Sequence, residues 1–182
     1  AGLGAGVKSL EYKVNLNTTR ANVSPIIDVQ RCSVTTQRNQ VDRQAAAAAT
    51  DFNVPINYVA ETNAFGGSAL AKHMTTVTRL SEPAVGLKVI LAAVRPNNSN
   101  FELYYRTATD GEDIFSKNFT LQTSENTQAP DESNFREYRY LIGGDNGNLD
   151  AFSEFQIKIV MTAVNSATPP IFKDLRAIAL AV

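Results

Sequence analysis

Phe152-Ser153-Glu154-Phe155-Gln156-Ile157-Lys158-Ile159-Val160-Met161-Thr162 decides the fold class. Phe155, Ile157, Ile159 and Met161 fall on one side of an extended chain, with polar residues between them. A period of two is the mark of a strand with one buried face. Arg136–Ile142 repeats it upstream, with Tyr138, Tyr140 and Ile142 on one side. So does Phe101–Thr107, where Phe101, Leu103 and Tyr105 oppose Glu102, Tyr104 and Arg106. Val85–Val94 is a nearly continuous apolar run, the pattern of a central strand covered on both faces. Lys72–Leu80, Phe115–Leu121 and Ile171–Val182 read as further strands.

Turn chemistry separates these runs. Arg95-Pro96-Asn97-Asn98-Ser99-Asn100, Thr109-Asp110-Gly111-Glu112-Asp113 and Gly143-Gly144-Asp145-Asn146-Gly147-Asn148 are turn clusters. Thr123 to Ser133, polar and carrying Pro130, reads as a mobile surface loop. Towards the N-terminus, Val7–Leu16 alternates, with Leu10, Tyr12, Val14 and Leu16 opposite Glu11, Lys13 and Asn15. A second strand is expected from about Ile26 to Thr35. Eight or nine short strands with almost no amphipathic helix predict an all-β fold, an antiparallel β-sandwich of jelly-roll type.

Residues 36–71 break the pattern. Polar Gln37–Gln44 leads into Ala45–Ala49, then Asn53–Tyr58, which reads as extended because Pro55 fixes its own backbone and restricts Val54, and the turn Phe65-Gly66-Gly67-Ser68. Irregular stretches this long are functional or pack on a neighbour. The organisation predicted for 1–182 is a single domain: N-terminal strands over 1–35, an irregular arm over 36–71 and the main strands over 72–182. The arm lies either along another subunit or over its own domain. The small residues Ala1–Gly6 read as a linker or a cut edge, so a fragment of a longer chain is expected.

Composition narrows the function. The chain has 182 residues, 43% hydrophobic and 19% charged, and a formal charge of −1 from 17 basic and 18 acidic residues. That balance disfavours naked nucleic acid as the main partner. No run approaches the roughly 20 apolar residues of a membrane helix. One Cys and one His leave no internal disulfide and no Cys/His zinc site. The lone Cys32 fits synthesis in a reducing cytoplasm and reads as a small hydrophobe within a strand.

Each candidate for chemistry lacks a partner. Any Ser-His scheme depends on His73 at the start of a strand, and Gly66-Gly67-Ser68-Ala69 is not a nucleophile elbow. Carboxylate pairs for glycoside hydrolysis would come from Asp110, Glu112 and Asp113, from Asp131 and Glu132, or from Asp145 and Asp150, and nothing selects among them. Asp145–Asp150 has oxygen ligands at close spacing for Ca²⁺ but lacks the complete loop pattern. No phosphate-binding glycine motif follows a strand. Tyr104, Tyr138 and Tyr140 are the aromatic residues available for a sugar platform; strand tyrosines more often belong to a core or sheet face. No catalytic, cofactor or metal residue is therefore assigned.

A family resemblance adds to this. Pro83-Ala84-Val85-Gly86-Leu87-Lys88-Val89, Ala92-Ala93-Val94-Arg95-Pro96, Phe101-Glu102-Leu103-Tyr104-Tyr105-Arg106, Phe135-Arg136-Glu137-Tyr138, Phe155–Met161 and Pro169–Ala179 together resemble the C-terminal β-sandwich of virion structural proteins in T4-like tailed phages, the cyanophage type in particular. Ser24–Arg31 and Asn63–Ala69 resemble the same family. The resemblance implies a non-catalytic tail or baseplate component of the virion, with other virion proteins and copies of itself as partners. It carries no motif of functional residues. The alternative is a receptor- or carbohydrate-binding β-sandwich module.

Overall fold

The computed structural model describes residues 13–28, 41, 59–144, 147–164 and 168–181. The chain divides into two units, residues 1–37 and 38–182. Among the described residues of the second unit seven strands form: β1 (Lys72–Met74), β2 (Thr78–Val94), β3 (Ser99–Ala108), β4 (Thr120–Gln122), β5 (Arg136–Ile142), β6 (Phe152–Ala163) and β7 (Ile171–Ala181). Every ladder is antiparallel, and together they make one sheet in the order β4-β3-β6-β2-β5, with β1 also on β6 and β7 also on β2. The all-β antiparallel expectation holds at the level of class.

The long strand β2 curls this sheet. Its first part, Thr78 and Arg79, pairs with Phe155 and Glu154 of β6; from Ala84 onward it lies between β5 and β7. The register breaks between Arg79 and Ala84, where Pro83 has no N–H to give a ladder. One arm of the sheet is thus β4-β3-β6-β1 and the other β5-β2-β7. Their apolar faces share one core, with Leu87, Val89 and Leu91 from β2, Leu103 from β3, Ile142 from β5 and Ile157 from β6. Phe101 of β3 meets Tyr138 of β5 edge-on at 4.8 Å and Phe172 of β7 at 4.9 Å, so aromatic contacts join the arms.

Several boundaries differ from the sequence expectation. Lys72–Leu80 is two strands, because Thr75 leaves the ladder to bond Ile157 through both its amide and its hydroxyl. Val85–Val94 is covered on one face only: Leu87, Val89, Leu91 and Ala93 are buried while Lys88, Ile90 and Ala92 are half-buried. Phe115–Leu121 is a 3₁₀ turn, Ile114–Ser116, followed by the three-residue β4; Asp113 caps the turn by accepting from the Phe115 amide at 2.9 Å.

In the first unit, residues 13–28 are exposed and carry no strand. Alternation announces a half-buried strand, but a strand exists only with a neighbour for its backbone groups, and 13–16 and 26–28 have no ladder. The remainder of both expected N-terminal strands, Val7–Leu16 and Ile26–Thr35, lies outside the described residues, as do Cys32 and Ala45–Ala49.

Of the arm, Val41 and residues 59–71 are described, and 59–71 packs on its own domain. It is a series of tight turns: Asn63 N–H donates to the Ala60 carbonyl and Gly66 N–H to that of Asn63, both at 2.9 Å. Gly67 has φ +74° and faces the Glu61 carboxylate so closely that a Cβ there would lie 2.4 Å from it. Both facts require glycine.

Candidate functional site

The outer face of β3 and β6 is where polar side chains are buried. Lys158 on β6 is fully buried and Arg106 on β3 is 3% exposed. Alternation assigned both to solvent; residues 59–71 cover them instead. The Lys158 ammonium donates to the Glu61 carbonyl at 2.5 Å, to Glu61 Oε2 at 3.0 Å and to the Gly66 carbonyl at 3.1 Å. The other carboxylate oxygen of Glu61 accepts from the Ala69 amide at 2.7 Å. Lys72 adds bonds to the carbonyls of Gly66 and Gly67. The Arg106 guanidinium grips Gln156 Oε1 through Nε at 2.9 Å and Nη2 at 2.6 Å, and Nη1 reaches the Ala64 carbonyl at 3.0 Å.

Phe119 lies between the two cations, its ring centroid 4.4 Å from the Arg106 guanidinium carbon and 4.5 Å from Lys158 Nζ. Burial pulls the pKa of Lys158 below its ordinary value, with Glu61 opposing the shift; burial likewise lowers that of Arg106, against the pull of Asp113. These donors have acceptors in the surrounding loops, so the cluster is a clasp holding 59–71 to the sheet. No sequence signal marks it, because its acceptors are mostly backbone carbonyls of a distant loop.

The sequence candidates do not converge. His73 is exposed on β1, at the rim of a groove whose lining includes no Ser, Thr or Cys. Ser68 Oγ bonds both the amide and the carbonyl of Val59 at 3.0 Å. Glu112 binds Lys117 at 2.6 Å and the Thr109 amide at 3.0 Å, in that order of effect bringing its carboxyl down to about 2. Asp131 is also brought down to about 2, by the amides of Asn134 and Ser133 first, with Arg136 contributing. Glu132 accepts from the Asn97 amide at 3.0 Å. Asp110 and Asp150 are exposed, and Asp145 lies outside the described residues. Among the described residues no cluster of His, Cys, Asp and Glu has the makings of a metal site.

The three tyrosines are buried: Tyr104 is 6% exposed, Tyr138 5% and Tyr140 3%. Tyr104 donates to Glu102 at 2.6 Å. Tyr138 and Tyr140 form part of the wall of a cleft of about 430 Å³ between β3–β4 and β5. Burial raises the Tyr140 hydroxyl well above the usual phenol range. None presents an open ring face.

The sheet's long edges are treated differently. Residues 123–128, within the Thr123–Ser133 stretch expected to be a mobile loop, seal the free edge of β5 together with Gln122 of β4. Glu125 N–H donates to the Arg139 carbonyl at 2.7 Å, Asn126 Nδ2 to the Glu137 carbonyl at 2.7 Å, and Asn126 Oδ1 accepts from the Arg139 amide at 2.8 Å. Gln122 and Gln128 bond the Leu141 and Glu137 carbonyls. The opposite edge belongs to β7, and among the described residues its only ladder partner is β2. Ile171 is 54% and Ile178 50% exposed along it. Beside it runs a mostly apolar groove of about 480 Å³ lined by Leu91, Ile159, Pro170, Phe172 and Leu175, with His73 at the rim. No family model, curated protein or solved structure matches the chain.

Proposed function

We propose that this chain is a non-catalytic structural component of a tailed-phage virion, in the tail or baseplate, and that it works by binding other virion proteins and copies of itself. It would be made in the host cytoplasm and act in the particle. The observation that carries the reading is the edge of β7, whose only ladder among the described residues is to β2. An eleven-residue strand with exposed isoleucines and, among the described residues, no second ladder is an aggregation hazard unless assembly covers it. The resemblance of the β2, β3, β6 and β7 segments to virion proteins supports the same reading. So does the near-neutral mixed charge, which suits packing between subunits better than gripping DNA.

The carbohydrate-binding alternative needs aromatic faces open to solvent, and the burial of Tyr104, Tyr138 and Tyr140 counts against it. The test is quantitative mass spectrometry of purified particles from the source material. The chain should be present at a fixed molar ratio to other particle proteins; its absence from intact particles overturns the proposal.

A further inference from the structure

Backbone parity in the sheet leaves Phe101 facing a gap. Thr75 N–H donates to the Ile157 carbonyl and Met161 N–H to that of Ala71, so odd-numbered residues of β6 turn their backbone to β1 and even-numbered ones to β3. The residues opposite these in β3 are also even-numbered, from Asn100 against Thr162 to Arg106 against Gln156. Odd-numbered residues of β3 therefore turn away from β6. Leu103 and Tyr105 meet Gln122 and Thr120 of β4 on that side, but β4 ends at Gln122 and the chain crosses to β5. The N–H and C=O of Phe101 have no ladder partner there among the described residues.

Phe101 lines the cleft of about 430 Å³ between β3–β4 and β5, and two further groups in its wall lack a full set of partners. Tyr140 is 3% exposed, yet its hydroxyl has no hydrogen-bond partner among the described residues. Burial, reinforced by Tyr138 and opposed by Arg95, keeps that hydroxyl protonated and able to donate. Arg95 donates from Nε to the Tyr138 hydroxyl at 3.2 Å and from Nη2 to the Gln128 carbonyl at 2.6 Å, both neutral acceptors. Arg79, Arg136, Arg139 and Arg176 each have a carboxylate oxygen at 2.6 to 3.9 Å; Arg95 has none among the described residues. The one acid in the lining, Glu102, points to the other face of β3, where its carboxylate accepts from Tyr104 at 2.6 Å.

We propose that this cleft binds the carboxyl end of an extended peptide from another protein chain. The peptide lies along β3 on the line that β4 leaves at Gln122, and it runs in the direction of β4. One of its residues exchanges both backbone bonds with Phe101. It then heads for the turn that joins β2 to β3, where Arg95 and the Tyr140 hydroxyl receive the terminal carboxylate. A peptide fits better than a lone anion, because Phe101 offers a donor and an acceptor together and a peptide backbone answers both. The inference does not depend on the virion reading.

The test uses the full chain, isotope-labelled for NMR. In the free chain the Phe101 amide should exchange with solvent at least about 10-fold faster than the Leu103 amide, which β4 holds. The probe is a pool of acetylated tetrapeptides of random sequence with free carboxyl ends, and the control is the same pool with carboxamide ends. Titration to about 10 mM of the free-acid pool should shift the Phe101 amide, and the carboxamide pool should bind at least about 10-fold more weakly for want of a charge-assisted bond. Tyr140→Phe should leave the urea midpoint unchanged, since the hydroxyl bonds nothing in the free chain, and should still weaken binding of the free-acid pool about 5-fold. Arg95→Gln should erase the preference for the free-acid pool.

A Phe101 amide as well protected as that of Leu103 would mean that the cleft is already filled by its own chain, and overturns the inference. So does a free-acid pool that shifts nothing in the cleft, or that binds no better than the carboxamide pool. Sodium acetate that gives the same shifts at the same concentration overturns it too, because the cleft would then read a lone carboxylate. Binding unchanged in both variants would place the peptide elsewhere, with the same consequence. None of these results removes the chain from the particle, so the virion reading stands or falls separately on the mass spectrometry.

Discussion

Glu61→Gln is the most informative single change in the clasp over β3 and β6. The two carboxylate oxygens of Glu61 accept from opposite sides, one from the Ala69 amide at 2.7 Å and one from Lys158 at 3.0 Å. A glutamine has the same shape but one acceptor oxygen. Whichever way its amide turns, one donor faces another donor, and the buried ammonium loses its counter-charge. Removing one partner of a buried ion pair costs about 3–5 kcal/mol. Lys158 keeps the carbonyls of Glu61 and Gly66, so the lower end, about 3 kcal/mol, is expected. With a urea slope of about 2 kcal/mol/M, the unfolding midpoint should fall by about 1.5 M at unchanged slope.

The pH dependence gives a second readout. The folded pKa of Lys158 lies below 10.5 because of burial, and Glu61 holds it up. Between the folded pKa and 10.5 the unfolded chain binds more protons, so stability rises with pH in that window. Losing Glu61 lowers the folded pKa further and opens the window sooner. The gap between wild type and variant should therefore shrink as pH rises towards 10.5. A loss within about 0.5 kcal/mol, as at an inert surface site, would refute the clasp. The pair Glu61→Leu with Lys158→Met should be milder than Glu61→Gln alone, because apolar groups of similar size leave no charge stranded.

Other changes probe the remaining fold. Arg106→Lys should cost about 2–3 kcal/mol in urea unfolding, since an ammonium cannot reproduce the paired bonds to Gln156 or the stacking on Phe119. Leu87→Ala, at a fully buried site between the arms, should cost about 2–5 kcal/mol by the same measurement. Asp131→Asn should flatten the acid limb of the stability profile. The depressed Asp131 carboxyl stabilises the fold above 3.8 and loses that contribution as pH falls towards about 2.

Much of the sheet was legible because its strands obey a period of two. Arg136–Ile142 forms β5 with the expected residues inward, and Phe155, Ile157 and Ile159 of β6 enter the core. The same rule hid the clasp. On a strand, Gln156, Lys158 and Arg106 alternate with core residues and so read as solvated. What buries them is a loop up to 97 positions away in sequence, and local patterning carries no information about such a partner. The arm's fate was undecided for the same reason: Ala64 and Gly66 act through backbone carbonyls, which every residue has. The sealing of β5 by Glu125 and Asn126 was equally invisible, since polar loop composition does not distinguish a residue bound to a sheet edge from one bound to water. At the N-terminus the periodicity of Val7–Leu16 stated a need for a sheet without naming one.

Hydrogen exchange of the full chain, followed amide by amide through β7 as concentration rises, is the most direct test of the assembly reading. Alternate amides of Ala177–Ala181, those facing away from β2, should slow on association. Outward amides that keep exchanging at the same rate in an associated sample would contradict the account.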